Sequence, residues 1–140
     1  MRMRRKRFFA VIATVFAVVG IALSYVFYYY LSRNLVEVKA IRVSMQSPVV
    51  QGFVHAYYPY AKARVSKLYI TGDGIVYSVD DNWELIRKEG SATNKPIDGK
   101  DHYCWKVRWY ENDPTIISLI TISVKVDRDT WEIVSVDVSW

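Results

Sequence analysis

The sequence predicts an α+β protein with one N-terminal transmembrane helix, followed by a small domain in which one helix packs on a 4–5-stranded antiparallel sheet. Two observations support this prediction. Residues 8–32 contain no Asp, Glu, Lys or Arg, whereas several segments after residue 60 alternate between apolar and polar side chains. A long uncharged apolar run is typical of a membrane span, and alternation is typical of half-buried strands.

The apolar run begins at Phe8 and ends at Leu31. At 1.5 Å per residue, a helix of this length is roughly 36 Å long, which is enough to cross a hydrocarbon core of about 30 Å with some tilt. We therefore divide the chain into three parts. These are a basic cytoplasmic tail at residues 1–7, a transmembrane helix at residues 8–32 and an extracytoplasmic domain at residues 35–140.

The net charge of +5 is concentrated in front of the span. Five of the nineteen cationic residues precede Phe8, so fourteen cationic and fourteen acidic residues follow it. A basic segment beside an apolar span favours contact with anionic membrane lipid, and we expect no nucleic-acid partner. Because Arg33 alone flanks the other end, the N-terminus is expected inside and the domain outside the cytoplasmic membrane.

A cleaved signal peptide is the alternative interpretation of this segment. The apolar core of a signal peptide is normally about 7–15 residues long and ends at a cleavage site with small residues. Here the run is longer and ends in Tyr28, Tyr29 and Tyr30. These features favour an uncleaved anchor whose tyrosines lie in the outer aromatic belt, in contact with lipid or a partner.

Small residues recur along the span at spacings of three and four, which places them on one side of a helix. They are Ala10, Ala13, Ala17, Gly20 and Ser24. Small side chains let helix backbones approach closely, and in lipid this packing is a main source of helix association. This small-residue stripe predicts contact with a membrane-protein partner or a second copy of the chain. A chance distribution of common membrane residues is the alternative.

The domain is predicted to begin with a half-buried strand at residues 35–43, where apolar and charged residues alternate. A helical continuation of the span is the alternative. Ser47 and Pro48 then favour the start of a short helix, which Pro59 should end near Tyr58.

The rest of the sequence has the pattern of an antiparallel sheet. The expected strands are residues 65–71, 75–79, 103–110, 116–126 and 131–140. Residues 81–100 are polar and are expected to form a long loop in which Trp83, Leu85 and Ile86 pack down. The alternation places Trp105 and Trp109 on the core face of the sheet.

The turn at residues 126–133, with the sequence VDRDTWEI, resembles the V-D-x-x-T-G-E-V hairpin of PepSY domains. In that family a short helix precedes an antiparallel sheet whose last strands meet at this turn, and a cystatin-like architecture has a similar order. The family's glycine is Trp131 here. The resemblance implies an extracytoplasmic module that restrains an exported peptidase or binds cell-envelope ligands.

Residues suited to catalysis or metal binding are few. The histidines are His55 and His102, and Cys104 is the single cysteine, so no intramolecular disulfide is expected. With Met45 they could supply a copper ligand set, but their order along the chain differs from that of cupredoxins. His102 and Cys104 would share a strand face, without a recognisable third catalytic residue. We expect no metal and no cofactor.

Five Trp and eleven Tyr exceed what so small a core requires. Trp131 and Trp140 are expected to be exposed and to contact lipid or a partner. The sequence as a whole predicts a non-enzymatic, membrane-anchored binding protein that is an accessory or stabilising subunit of a larger membrane complex. The PepSY-like inhibitor is the second hypothesis, and a small redox or hydrolytic enzyme that uses His102 and Cys104 is the third.

Overall fold

The computed structural model describes residues 2–115 and 120–139. Helix α1 (Arg2–Ser44) divides between two compact units, residues 1–36 and residues 37–140. In the first unit nearly every large apolar side chain from Phe8 to Leu31 is exposed. The chain therefore contains a helix that is long and apolar enough to cross a membrane.

The second unit continues with helix α2 (Pro48–Tyr57) and a six-stranded sheet. The strands are β1 (Ala61–Ile70), β2 (Ile75–Val79), β3 (Leu85–Ser91), β4 (His102–Glu111), β5 (Thr121–Asp127) and β6 (Ile133–Ser139). Neighbouring strands are antiparallel, in the order β3-β2-β1-β4-β5-β6. The predicted α+β class is confirmed, with six strands in the described residues instead of four or five.

Residues 35–43 form the last turns of α1, so the predicted strand is wrong and its alternative, a continued helix, is correct. Ala40 and Val43 are three residues apart and both buried, which is the spacing of one helix face. Val36 and Val38 alternate with charged residues over only four positions. This short alternation does not determine the structure, because the helical spacing of Ala40 and Val43 does.

Part of the predicted loop at residues 81–100 forms strand β3. This strand pairs with β2 at the edge of the sheet, and most of its residues are exposed. Leu85 and Ile86 are also exposed and do not pack down, unlike the half-buried Trp83. Charged residues are common in edge strands because they discourage pairing with other chains. Since β3 has the sequence LIRKEGS, it lacks the alternation of apolar and polar residues that would predict a strand.

Strand β6 begins later than predicted, at Ile133 instead of Trp131, and the predicted strand residue Ile120 is not part of β5. Residues 116–119 and Trp140 lie outside the described residues, so the parts of the two predicted strands that fall on them stay predictions. Trp131 precedes β6 and belongs to the turn between β5 and β6.

Helix α2 begins and ends as predicted. Ser47 has an extended backbone and Pro48 occupies the first position of the helix. The helix ends at Tyr57, because Tyr58 is extended before Pro59.

The main core lies between the helices and one face of the sheet. Its buried members are Ala40, Val43, Val50, Phe53, Val107, Trp109, Ile122, Val124 and Val126. Trp109 is buried in this core and Trp105 is half-buried beside it, as the alternation predicted. A smaller cluster on the opposite face contains Leu68, Ile70, Cys104 and Val134.

A buried hydrogen bond joins the end of α1 to β4. The indole Nε1–H of Trp109 donates to Ser44 Oγ over 2.9 Å, and Ser44 Oγ–H donates to the carbonyl of Ile41 over 2.6 Å. Ser44 has no exposed surface. Its hydroxyl therefore accepts the hydrogen bond of the Trp109 N–H at a place that water does not reach.

Replacing Ser44 by Ala should lower the free energy of unfolding of the domain by about 1–3 kcal/mol, because the Trp109 N–H would stay buried without an acceptor. Thermal unfolding of the full chain in detergent, followed by tryptophan fluorescence, measures the change. Ser91→Ala, at an exposed position of β3, is the matched control and should have almost no effect. Equal melting temperatures for the two variants would contradict the role of this bond.

Candidate functional site

His102 lies between two carboxylates at the start of β4. Its Nδ1 is 2.6 Å from Asp127 Oδ2, and its Nε2 is 2.8 Å from each carboxylate oxygen of Asp98. We call His102, Asp98 and Asp127 the histidine clamp. A shallow pocket of about 160 Å³ lies beside the clamp, with Thr130, Glu132 and Val134 among its other lining residues.

Local turns hold both carboxylates in place. Asp127 Oδ1 accepts backbone hydrogen bonds from Asp129 (2.7 Å) and Thr130 (2.8 Å), so this side chain stabilises the turn after β5. Asp98 Oδ1 accepts the N–H of Lys100 over 3.0 Å. His102 therefore connects the loop before β4 to the turn after β5.

The clamp stabilises charge on all three members. Partial burial alone would lower the pKa of His102, but the carboxylates of Asp98 and Asp127 together raise it. Burial alone would raise the pKa of Asp127, but hydrogen bonds from Thr130, His102 and Asp129 lower it. The hydrogen bond from His102 is the largest of the effects that lower the pKa of Asp98.

This geometry limits the chemistry of the predicted His102–Cys104 pair. Each ring nitrogen of His102 already contacts a carboxylate, so a substrate or metal would have to displace one. Cys104 has no exposed surface, and burial raises its pKa to about 12, which disfavours the nucleophilic thiolate.

The other predicted metal ligands are not part of this site. His55 is exposed on α2, and Met45 is exposed after α1. Within residues 2–115 and 120–139, there is no group of three or more His, Cys, Asp or Glu residues suited to holding a metal ion.

A cluster of rings and cations lies on the face of the sheet that also carries the main core. Trp83 packs edge-on against Trp105, with ring centroids 5.0 Å apart. The ammonium of Lys67 lies 5.0 Å from the Trp83 ring, and the guanidinium of Arg128 lies 4.6 Å from the Tyr103 ring. Neither cation was predicted from the sequence. The available signal was the alternation of side chains along β1, which places Lys67 on the same face as Val65, toward the core.

Trp83 and Trp131 both have a left-handed backbone. Their φ angles are 64° and 60°, in the region that favours glycine. Trp131 was expected to be exposed, but it is half-buried, with the ammonium of Lys39 at 4.3 Å from its ring. Its side chain packs beside the main core.

The contact residues predicted within the span all belong to the first unit. The small-residue stripe is exposed along its length, as are Tyr28, Tyr29 and Tyr30. A Cβ atom added to Gly20 would meet no atom within 4 Å. Trp140, the remaining predicted contact residue, lies outside the described residues.

Comparison with known proteins adds no assignment: no protein-family model, curated protein or solved structure matches this chain.

The stability of the domain should fall as the pH rises from 6 to 9. The raised pKa of His102 means that its contribution is complete below the ordinary value of about 6.5 and is lost as the pH rises through the higher pKa of the folded state. The lowered pKa values of Asp98 and Asp127 act at the other end, where stability is lost in acid.

Thermal unfolding of the full chain in detergent, followed by near-ultraviolet circular dichroism, should show this loss between pH 6 and 9. In His102→Gln the slope should be much smaller. His55→Gln removes the exposed histidine and should retain the native profile. An unchanged slope in His102→Gln would show that the clamp does not set the pH dependence.

Proposed function

We propose that the chain is a single-pass, membrane-anchored, non-enzymatic binding protein that acts as an accessory or stabilising subunit of a larger membrane complex. The observation that carries the proposal is the exposure of nearly all large apolar side chains of residues 8–31. A helix that is apolar on every side has to be covered by lipid or by other helices.

The flanking charges support an orientation for this anchor. Five basic residues precede the span and only Arg33 follows it closely, which favours an N-terminus in the cytoplasm. Residues 37–140 then lie outside the cytoplasmic membrane. They have a hydrophobic core of their own and act as the part of the protein that reaches ligands and partners there.

The small-residue stripe is the surface through which the span contacts its partner. All five members are exposed, and Gly20 has no close neighbour that requires a glycine. Because Gly20 has no side chain, a second helix can approach the backbone closely at this position, whereas a lone helix in lipid does not need a glycine there. The partner helix belongs to another membrane protein or to a second copy of this chain.

Ala17→Leu should disrupt the complex, because the larger side chain separates the two helix backbones. Ala22→Leu makes the same change on the opposite side of the helix and is the matched control. Both variants are purified in mild detergent, and the mass of each complex is measured by light scattering. We expect Ala17→Leu to be reduced to a monomer and Ala22→Leu to retain the native mass.

Two results would contradict the proposal. One is a native protein that is purified alone and as a monomer. The other is an equal mass for the complexes of Ala17→Leu and Ala22→Leu, which would show that the stripe is not the interface.

A further inference from the structure

A basic stripe crosses the face of the sheet opposite the main core. Strand alternation places Val65, Val107 and Val124 toward the core, so the intervening side chains point to the other face. There Arg64 lies directly opposite Arg108, and Lys106 lies directly opposite Lys125. We define the basic stripe as Lys62, Arg64, Arg108, Lys106 and Lys125.

The five cations are close together. Side chains on one face of a strand repeat roughly every 7 Å, and neighbouring strands are about 5 Å apart. The stripe therefore runs diagonally over β1, β4 and β5, within an area of roughly 10 by 14 Å. Lys62, Arg64 and Arg108 are exposed, whereas Lys106 is half-buried and Lys125 is buried.

One of these cations forms a salt bridge, and the carboxylates of Asp137 and Glu89 also favour the charged form of Lys106. Lys125 Nζ is 2.7 Å from Asp137 Oδ2, and nearby Glu89 is engaged by Arg87 at 3.0 Å. Within residues 2–115 and 120–139, no salt bridge involves Lys62, Arg64, Lys106 or Arg108. The side chains that the structure does not describe include no Asp or Glu.

The stripe is not a consequence of a basic composition. Residues 37–140 contain thirteen Lys and Arg against fourteen Asp and Glu, so this unit is slightly acidic. Several of its acidic residues cap turns, as Asp80, Asp98 and Asp127 do. Like charges directly opposite each other destabilise a sheet, and burial and the charges of Lys125 and Arg108 lower the pKa of Lys106. A bound anion would offset this repulsion.

The side chains around the cations indicate which anion fits. Ser66, Ser123 and Thr121 are register partners of the cations or of their neighbours, and together with Arg and Lys they form the set of donors that proteins use for phosphate groups. Tyr110 is the register partner of Lys62. The guanidinium of Arg64 lies over its ring, 5.4 Å from the centroid.

We propose that the basic stripe binds a linear phosphodiester polymer without nucleobases. A diagonal row of cations follows a chain of phosphates, whereas a planar lipid surface does not require a row. Single-stranded nucleic acid is bound largely by stacking on aromatic rings, and interfaces with folded proteins depend on large apolar anchors. The aromatic register partner of the stripe, Tyr110, already has the Arg64 guanidinium over its ring. This binding surface lies in the second unit and is separate from the helix contacts proposed above.

The test uses the full chain in nanodiscs of zwitterionic lipid, so that anionic lipid does not compete with the probe for the basic stripe. A fluorescent oligomer of abasic deoxyribose phosphate is the probe, and binding is followed by anisotropy. We expect saturable binding that weakens more than tenfold between 50 and 200 mM salt, because bound phosphates release counterions.

Arg64→Gln/Arg108→Gln should weaken this binding at least tenfold without lowering the melting temperature, because the substitutions remove a repulsion. Lys88→Gln/Lys100→Gln removes two exposed charges elsewhere and should change binding less than threefold. Lys62→Glu, at an exposed position, is an independent variant that should also weaken binding.

Four results would overturn the proposal. They are no binding of the abasic oligomer, equal losses in the two double variants, tighter binding of oligothymidine or polyglutamate of the same length, and tighter binding of anionic vesicles. Because the small-residue stripe is unchanged in every variant, loss of the oligomer does not depend on whether the helix contact exists.

Discussion

The apolar surface of residues 8–31 has to be covered, and none of the described residues of this chain covers it. In water, so many exposed apolar side chains would contribute nothing to stability and would promote aggregation, because their unfavourable hydration is not relieved on folding. A lipid bilayer removes this cost, and the proposed orientation, anchor and helix partner all depend on it. The second unit has its own core and does not share this requirement.

Within the second unit, polar groups are placed where they connect elements. The Ser44–Trp109 hydrogen bond fixes the last turn of α1 on β4, and the histidine clamp fixes the loop before β4 to the turn after β5. Both interactions use polar side chains with local partners of their own, which keeps their geometry rigid. The basic stripe differs, because four of its five cations form no salt bridge among the described residues, and this difference is the reason to assign it a ligand.

Elements whose apolar residues repeat regularly over many positions are predictable from the sequence, and elements without such a repeat are not. The apolar run, helix α2 and the alternating strands β1, β2 and β4 to β6 follow from spacing alone. The end of α1 was mistaken for a strand because a few alternating residues resemble one, and edge strand β3 lacks an apolar face. The clamp and the basic stripe could not be predicted, because each brings together residues that are distant in sequence, such as His102 with Asp127 in the clamp and Lys106 with Lys125 in the stripe. The PepSY resemblance stays a prediction.

The central claim is that the helix anchors the domain outside the cytoplasmic membrane, and the accessibility of single cysteines to an impermeant maleimide tests it most directly. Native Cys104 is buried and serves as the unlabelled background. Asp73→Cys lies at the exposed turn between β1 and β2, and Arg4→Cys lies in front of the span. Asp73→Cys should be labelled in intact cells, whereas Arg4→Cys should be labelled only after permeabilisation. Labelling of Asp73→Cys only after permeabilisation would contradict it.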